Sequence, residues 1–178
     1  IAANLSGTAT DLAAAFAGIA VNTHTGTVTI SEGSTATLAE LVSINAVTTG
    51  AITLSTQTIA ANLSGTATDL VAAFAGTVTA HTGTLTATGA TTVTQANIFD
   101  AASAGVVTAT IADTATNLAT LTGTTGAYTL TISEGSTATL AELVSINAAT
   151  TGAITLSTQT IAANLSGTAT DLAAAFAG

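Results

Sequence analysis

Apolar and polar positions follow two alternating periods along the chain, and the changes of period fall at threonine, serine or glycine. In Thr27-Val-Thr-Ile-Ser the period is two, with Val28 and Ile30 on one side and Thr27, Thr29 and Ser31 on the other. Ala51-Ile-Thr-Leu-Ser repeats this with Ile52 and Leu54, and Val107, Ala109 and Ile111 alternate with Thr108 and Thr110. After Thr56-Gln-Thr, which reads as a turn, Ile59, Ala61 and Leu63 form a further alternating run. A period of two predicts strands with one face on a core, and threonine suits the other face because its β-branched side chain favours extended backbone. Elsewhere the period is helical. Leu38, Leu41, Val42 and Asn45 stand at i, i+3, i+4 and i+7, and Leu70 and Phe74 at i and i+4. Thr or Ser ahead of such a stripe can cap its first turn, and Glu32, Asp69 or Asp113 near that end suits the helix dipole. Glycine follows most stripes, at Gly18, Gly50, Gly76, Gly105, Gly152 and Gly178, where it can take the left-handed conformation that closes a helix.

These elements recur. Thr27–Gly76 returns as Thr129–Gly178 with 47 of 50 positions identical, the differences being Val28/Leu130, Val47/Ala149 and Val71/Ala173. A shorter signal opens at Thr8, Thr35, Thr66, Thr91, Thr114, Thr137 and Thr168, so six units separate the first signal from the last. Their lengths fall within the ~20–45 residues of a solenoid coil. Each unit reads as a strand, often a second short strand, then a helix of two or three turns. Such a helix is marginal alone and must lie on its own strands and on neighbouring helices. The predicted fold is therefore α/β: a repeat solenoid of strand(s)-turn-short helix coils with a parallel β-sheet along the axis, continuous over residues 1–178. Thr77–Gly126 diverges most but keeps the rhythm through Leu85, Val93, Ile98 and Phe99. Ile1–Gly18 is identical to Ile161–Gly178, which suggests a window of a longer repetitive chain, with any targeting signal outside it.

Composition narrows the classes of function. The chain has no Lys, Arg, Cys, Met, Trp or Pro, and 5% of its residues are charged, against ~25% in an average domain. Yet 48% are hydrophobic, which separates it from disordered chains. Without a cation it cannot neutralise phosphates, so nucleic acid is not an expected partner, and anionic membrane surfaces are disfavoured for the same reason. The longest apolar run, Leu12–Val21, is well short of the ~20 residues of a membrane span. The net charge of −9 opposes indiscriminate aggregation.

Candidate chemistry is sparse. His24 and His81 share the context His-Thr-Gly but stand far apart in the chain with no Cys beside them, so a structural or solvated histidine is favoured over metal ligation. Ser and Asp are common, but no Gly-x-Ser-x-Gly elbow is present, and no catalytic, cofactor-binding or metal-binding residue is assigned. Glu32 and Glu134, Glu40 and Glu142, and Asp11, Asp69 and Asp171 recur at equivalent positions. Stacking could gather some of them into a weak Ca²⁺ site, which needs six to eight oxygens; helix capping and solubility is the favoured role. The Thr-x-Thr pairs at Thr27, Thr77, Thr84, Thr108 and Thr129 could order water or a glycan if aligned, as well as serve strand propensity. Asn4, Asn62 and Asn164 each begin an Asn-Leu-Ser sequon at one repeat position.

Thr48-Thr-Gly-Ala-Ile-Thr-Leu followed by Leu63-Ser-Gly-Thr-Ala-Thr-Asp-Leu-Val-Ala-Ala-Phe resembles the Thr/Ala-rich repeats of giant secreted cell-surface proteins of cyanobacteria and proteobacteria. The resemblance implies an extracellular structural role and brings no catalytic residues. The Gly-Gly-x-Gly-x-Asp repeat that binds calcium in haemolysin-type proteins is absent from the chain, so calcium is not carried over. The expected function is a structural repeat segment of a fibre, surface layer, sheath or adhesin that self-associates end to end or laterally. The alternative is an ice- or glycan-binding module.

Overall fold

The computed structural model describes residues 1–177. Strands and helices alternate along the chain, and the strands form two parallel sheets, of three and five strands. The described residues divide into two compact units, Ile1–Thr86 with Ala102–Gly105, and Ala87–Ala101 with Val106–Gly178.

In the first unit β1 (Leu5–Gly7), β2 (Val28–Ile30) and β3 (Ile52–Thr53) lie side by side in parallel, with Leu5 opposite Val28 and Val28 opposite Ile52. Helices α1 (Ala9–Phe16), α2 (Leu38–Val47) and α4 (Ala67–Ala73) accompany them, and α2 packs against both of the others. Between β3 and α4 come the short α3 (Thr56–Ala60) and β4 (Leu63–Thr66). β5 (Leu85–Ala90) and α5 (Val93–Ala102) follow. In the second unit β6 (Val107–Asp113) pairs in parallel with β7 (Gly126–Ile132), and β7 with β8 (Ile154–Thr155). Its helices are α6 (Ala115–Leu118), α7 (Leu140–Ala149), α8 (Thr158–Ile161) and α9 (Ala169–Ala175), with α7 packed against α6 and α9. The inward strand residues predicted from the alternation, Val28, Ile30, Ile52, Leu54, Val107, Ala109 and Ile111, are all buried.

Every threonine signal opens a helix. Thr8, Thr66, Thr114 and Thr168 accept the amide three residues on. In Thr35-Ala-Thr37 and its repeat the second threonine takes this role. Thr37 and Thr139 complete capping boxes with Glu40 and Glu142. Thr92 accepts from the Gln95 amide at 3.2 Å. A cap of this kind contributes about 1 kcal/mol, which matters for helices too short to persist alone.

Four expectations change. Thr56-Gln-Thr is a helix start and not a turn: Ser55 accepts from the Thr58 amide, so Ile59 belongs to α3 and the alternating run begins only at β4. The most buried residues of α2 are Leu41, Ile44 and Val47, with Leu38, Val42 and Asn45 half-buried. The helix has neighbours on two flanks, and Asn45 turns to one of them, donating to the carbonyls of Ala72 (2.7 Å) and Ala75 (2.9 Å) at the end of α4. Ile98 is 36% exposed while its neighbour Phe99 is fully buried, because on α5 they point to different sides. Among the glycines, Gly18 and Gly76 take the positive φ of a helix terminator. Gly50, Gly105 and Gly152 do not; a Cβ there would run into the carbonyl oxygens of Gly26, Gly83 and Tyr128 respectively. They permit close backbone approach. Gly178 lies outside the described residues.

Candidate functional site

The two histidines are buried side chains of the packing. His24 is 1% exposed. Its Nε2 lies 2.8 Å from the carbonyl oxygen of Ala3, which only accepts, so Nε2 carries a proton. Nδ1 lies 3.1 Å from Thr48 Oγ1. That hydroxyl also lies 3.2 Å from the His24 carbonyl oxygen and accepts the Gly50 amide at 3.0 Å. The ring of Phe16 stands beside His24, with centroids 5.4 Å apart.

His81 repeats the arrangement with poorer hydrogen bonding. Nδ1 lies 3.4 Å from Ser103 Oγ. Ser103 donates toward the His81 and Gly83 carbonyls, both at 3.3 Å, and accepts the Gly105 amide at 3.0 Å. The ring is fully buried, and Nε2 has no hydrogen-bond partner of acceptable geometry. Burial therefore pushes its pKa below the ordinary 6.5, against a smaller upward pull from the carbonyls of Ala61 and Gly83. Phe74 meets the ring edge-on, 5.5 Å between centroids.

Tyr128, which sequence reasoning does not single out, fills the comparable place in the second unit. It is fully buried; its amide donates to Thr150 Oγ1 and its carbonyl accepts from the same hydroxyl, both at 2.8 Å. Thr150 also accepts the Gly152 amide at 2.9 Å. Burial, helped by the negative charge of Asp100, pushes the phenol up to about 12. A common signature is now visible: Thr48-Thr-Gly50, Ser103-Ala-Gly105 and Thr150-Thr-Gly152. In each, a buried hydroxyl bridges a carbonyl 22 to 24 residues back and the amide of its own glycine.

The acids go to helix ends. Glu40 accepts from the Thr37 amide and hydroxyl and, across to the neighbouring helix, from Thr10 at 2.7 Å. Glu142 repeats this with Thr139 and Thr116. Both carboxyls are held below their ordinary range, first by the backbone bond from Thr37 or Thr139 and then by the threonine across. Glu32 and Glu134 serve helices of the following segment, accepting from the amides and hydroxyls of Thr56 and Thr158. The hydroxyl and amide of Thr158 hold Glu134 low in the same way. Asp11, Asp69 and Asp171 each accept the hydroxyl of their own capping threonine. Among the described residues no three of His, Asp and Glu gather in a group that could hold a metal ion, and no helix is long and apolar enough to cross a membrane. Asn4 and Asn62 accept the amides of Thr27 (3.0 Å) and Thr84 (3.1 Å).

The outward threonines align where strands pair. Ser6, Thr29 and Thr53 are neighbours across β1, β2 and β3. Thr110 stands beside Thr129, and Thr131 beside Thr155. At β8 the second unit also presents an apolar groove lined by Leu143, Asn147, Ile154, Leu156, Ala175 and Phe176.

No protein family matches the chain, no characterised protein matches it in sequence, and no solved structure matches its fold.

Proposed function

We propose that this chain is a structural repeat segment, an α/β solenoid of stacked strand-helix coils belonging to an extracellular fibre, surface layer, sheath or adhesin, and that it assembles with further copies end to end or laterally. The observation that carries this reading is where the polar side chains are spent. Asn4, Glu32, Asn45, Thr48, Thr58, Ser103, Thr150 and Thr160 each bond to a segment 20 to 27 residues away in sequence. Such residues join one repeat unit to the next, and stability then accrues unit by unit. The same residues argue for a role without catalysis. His81 and Ser103 touch, but both are buried, and neither histidine meets a carboxylate among the described residues. The likeness to the repeats of giant secreted proteins favours the extracellular setting.

Sedimentation and electron microscopy of the purified chain over a range of concentrations test assembly. Elongated particles that lengthen with concentration are expected, with an axial repeat near the ~4.8 Å strand spacing. Particles that remain monomeric at every concentration would refute it.

The aligned Ser6-Thr29-Thr53 rank favours a second reading, a module that orders water or a glycan on its threonine face. Thermal hysteresis of a concentrated solution, or retention on a glycan array, would establish it; absence of both would remove it.

A further inference from the structure

Two kinds of groove recur in this chain. The groove at β8 repeats the surface of Ile52, Leu54 and Phe74. In the first copy the segment Thr77–Thr82 that follows covers that surface, Val78 pairing with Ile52 and His81 setting its ring against Phe74. The other groove is open in both copies. In the first unit Leu38, Ala39 and Val42 of α2 line it together with Ser64 and Gly65 of β4 and Asp69 of α4. In the second unit their counterparts on α7 and around Asp171 line the same groove. The sequence continues well past Asp69, and among the described residues no later segment fills the first groove. Nor does the groove depend on the strand beside it: Leu63–Thr66 is β4, whereas Leu165 to Thr168 is not a strand. Glycine shapes it in both copies, since a Cβ on Gly65 or Gly167 would run into Cδ2 of Leu38 or Leu140.

The lining is aliphatic with one charge. Leu38 and Val42 are half-buried, and Asp69 is the only ionisable group. Asp69 Oδ2 accepts the Thr66 hydroxyl at 2.8 Å, and Oδ1 receives no hydrogen bond among the described residues. Asp171 repeats this with Thr168 at 2.7 Å. An anion is repelled by the carboxylate, and the Asp69 amide already donates to Thr66 Oγ1 at 3.1 Å. A cation is what the carboxylate lacks, and a chain with no Lys or Arg does not supply one. A methylene stem lying on Leu38 and Val42 with an ammonium at its tip satisfies both halves of the lining. Ammonium suits the site better than guanidinium. With Oδ2 engaged, the carboxylate is not free to accept the two parallel bonds that a guanidinium makes.

We infer that this groove docks a lysine side chain of a partner protein, at one site in each copy of the repeat. A second copy of this sequence is not that partner, because it has no lysine. The net charge of −9 draws a basic partner in over a distance. The inference stands apart from self-association and does not rest on it.

Titration of the isotope-labelled chain with Nα-acetyl-lysine-N-methylamide at low salt, followed through amide chemical shifts, tests it. Saturable shifts are expected at Ser64, Gly65 and Asp69 and at Ser166, Gly167 and Asp171. Asp69→Asn keeps an acceptor for the Thr66 hydroxyl. It should weaken the response of the first set about fivefold, the worth of a well-placed surface ion pair, and leave the second set unchanged. Methylammonium has the charge without the stem, and the norleucine analogue the stem without the charge; both should bind more weakly than the blocked lysine, as should blocked arginine. Shifts spread over all the acids, methylammonium or blocked arginine binding as tightly, or a first set indifferent to Asp69→Asn would each overturn the proposal. Cadaverine binding much more tightly than the blocked lysine would overturn it too, by assigning the groove to a free polyamine.

Discussion

Thr27–Gly76 and Thr129–Gly178 are one sequence in two settings. Their helices agree closely. α2 and α7 are both ten residues long, with the same capping box and the same φ of −78° at the capping threonine. α3 and α8 start behind Ser55 and Ser157 in the same way. What differs is everything that requires a neighbour. Leu63 to Thr66 is strand β4, and the Leu63 amide donates to the Thr84 carbonyl at 2.9 Å; Leu165 to Thr168 is not a strand. Asn62 receives the Thr84 amide, while Asn164 is exposed. Leu70 is fully buried and Leu172 half-buried. A third occurrence of these residues, Ile1–Gly18, decides the matter. It has the strand β1, and there the Leu5 amide finds the Thr27 carbonyl at 2.9 Å. Helix formation in this chain is local, set by a cap beside the first turn. Strand formation is conferred by the adjoining segment.

The largest expected effect tests that division on one residue type. Phe74→Ala removes a ring that is 6% exposed and in contact with His81, and a buried Phe→Ala change costs about 3–5 kcal/mol. Phe176→Ala removes the same ring from the same sequence where it is 55% exposed, and exposed changes fall within about 0.5 kcal/mol. Chemical denaturation of the two variants should separate them by several-fold in stability loss. Equal losses would mean that the second surface is closed in solution, and the contrast between the copies would fail.

The same division explains what could be read from residues alone. The caps were legible because Thr and Ser sit three residues before the amide they bind, and the strand alternation at Val28/Ile30 and Val107/Ala109/Ile111 was legible because its period is two. α3 escaped because its whole signal is Ser55, followed by Thr56-Gln-Thr, residues equally at home in a turn. The role of Gly50 escaped for a different reason. Its constraint is the carbonyl of Gly26, remote in sequence, and nothing beside Gly50 distinguishes that from a helix-terminating glycine. Tyr128 stands two residues after Gly126 on the inward face of β7, and its ring occupies the space that the missing Gly126 side chain leaves, a fit that a lone aromatic in the sequence does not announce. The groove at β8 could not be read at all, since its residues are identical to those of a covered surface.

Where the two copies have the same neighbours, they should respond alike. A Cβ on Gly50 would meet the Gly26 carbonyl oxygen, and one on Gly152 the Tyr128 carbonyl oxygen. Neither clash can be relieved by a flexible side chain, so Gly50→Ala and Gly152→Ala should each cost roughly 1–3 kcal/mol, the overpacking range. Gly33→Ala and Gly135→Ala form a matched pair of another kind, with open space around the added methyl but positive φ at both. Within each pair the losses in chemical denaturation should match. A Gly152→Ala variant as stable as the parent would show that the second copy has relaxed around β7 and β8.

Acid sharpens the contrast by the smallest margin, because it is read there through one side chain, His81, on the segment Thr77–Thr82 whose Val78 pairs in parallel with Ile52 of the first copy. His81 belongs to the segment over the first copy, and the second copy has no counterpart among the described residues. Its folded pKa lies below 6.5, chiefly because burial penalises the charged ring. The unfolded chain therefore binds the proton more readily. His81 leaves stability intact above pH 6.5 and withdraws it as the pH falls below that value toward the folded pKa, at a slope of at most about 1.4 kcal/mol per pH unit for one proton. The amides of Ile52, Thr79 and Thr82 donate to the carbonyls of Thr77, Ile52 and Ile59 and so pair this segment with the first copy, and their hydrogen-exchange protection should decline below pH 6.5. Protection of the Thr139–Glu142 cap should persist until the carboxyl itself titrates, which its own lowered pKa defers to still lower pH. His81→Gln should remove the first response and leave the second. If both regions lose protection together on acidification, His81 is not what holds the first copy closed, and the difference between the copies must be sought in the strand pairing of Val78 instead.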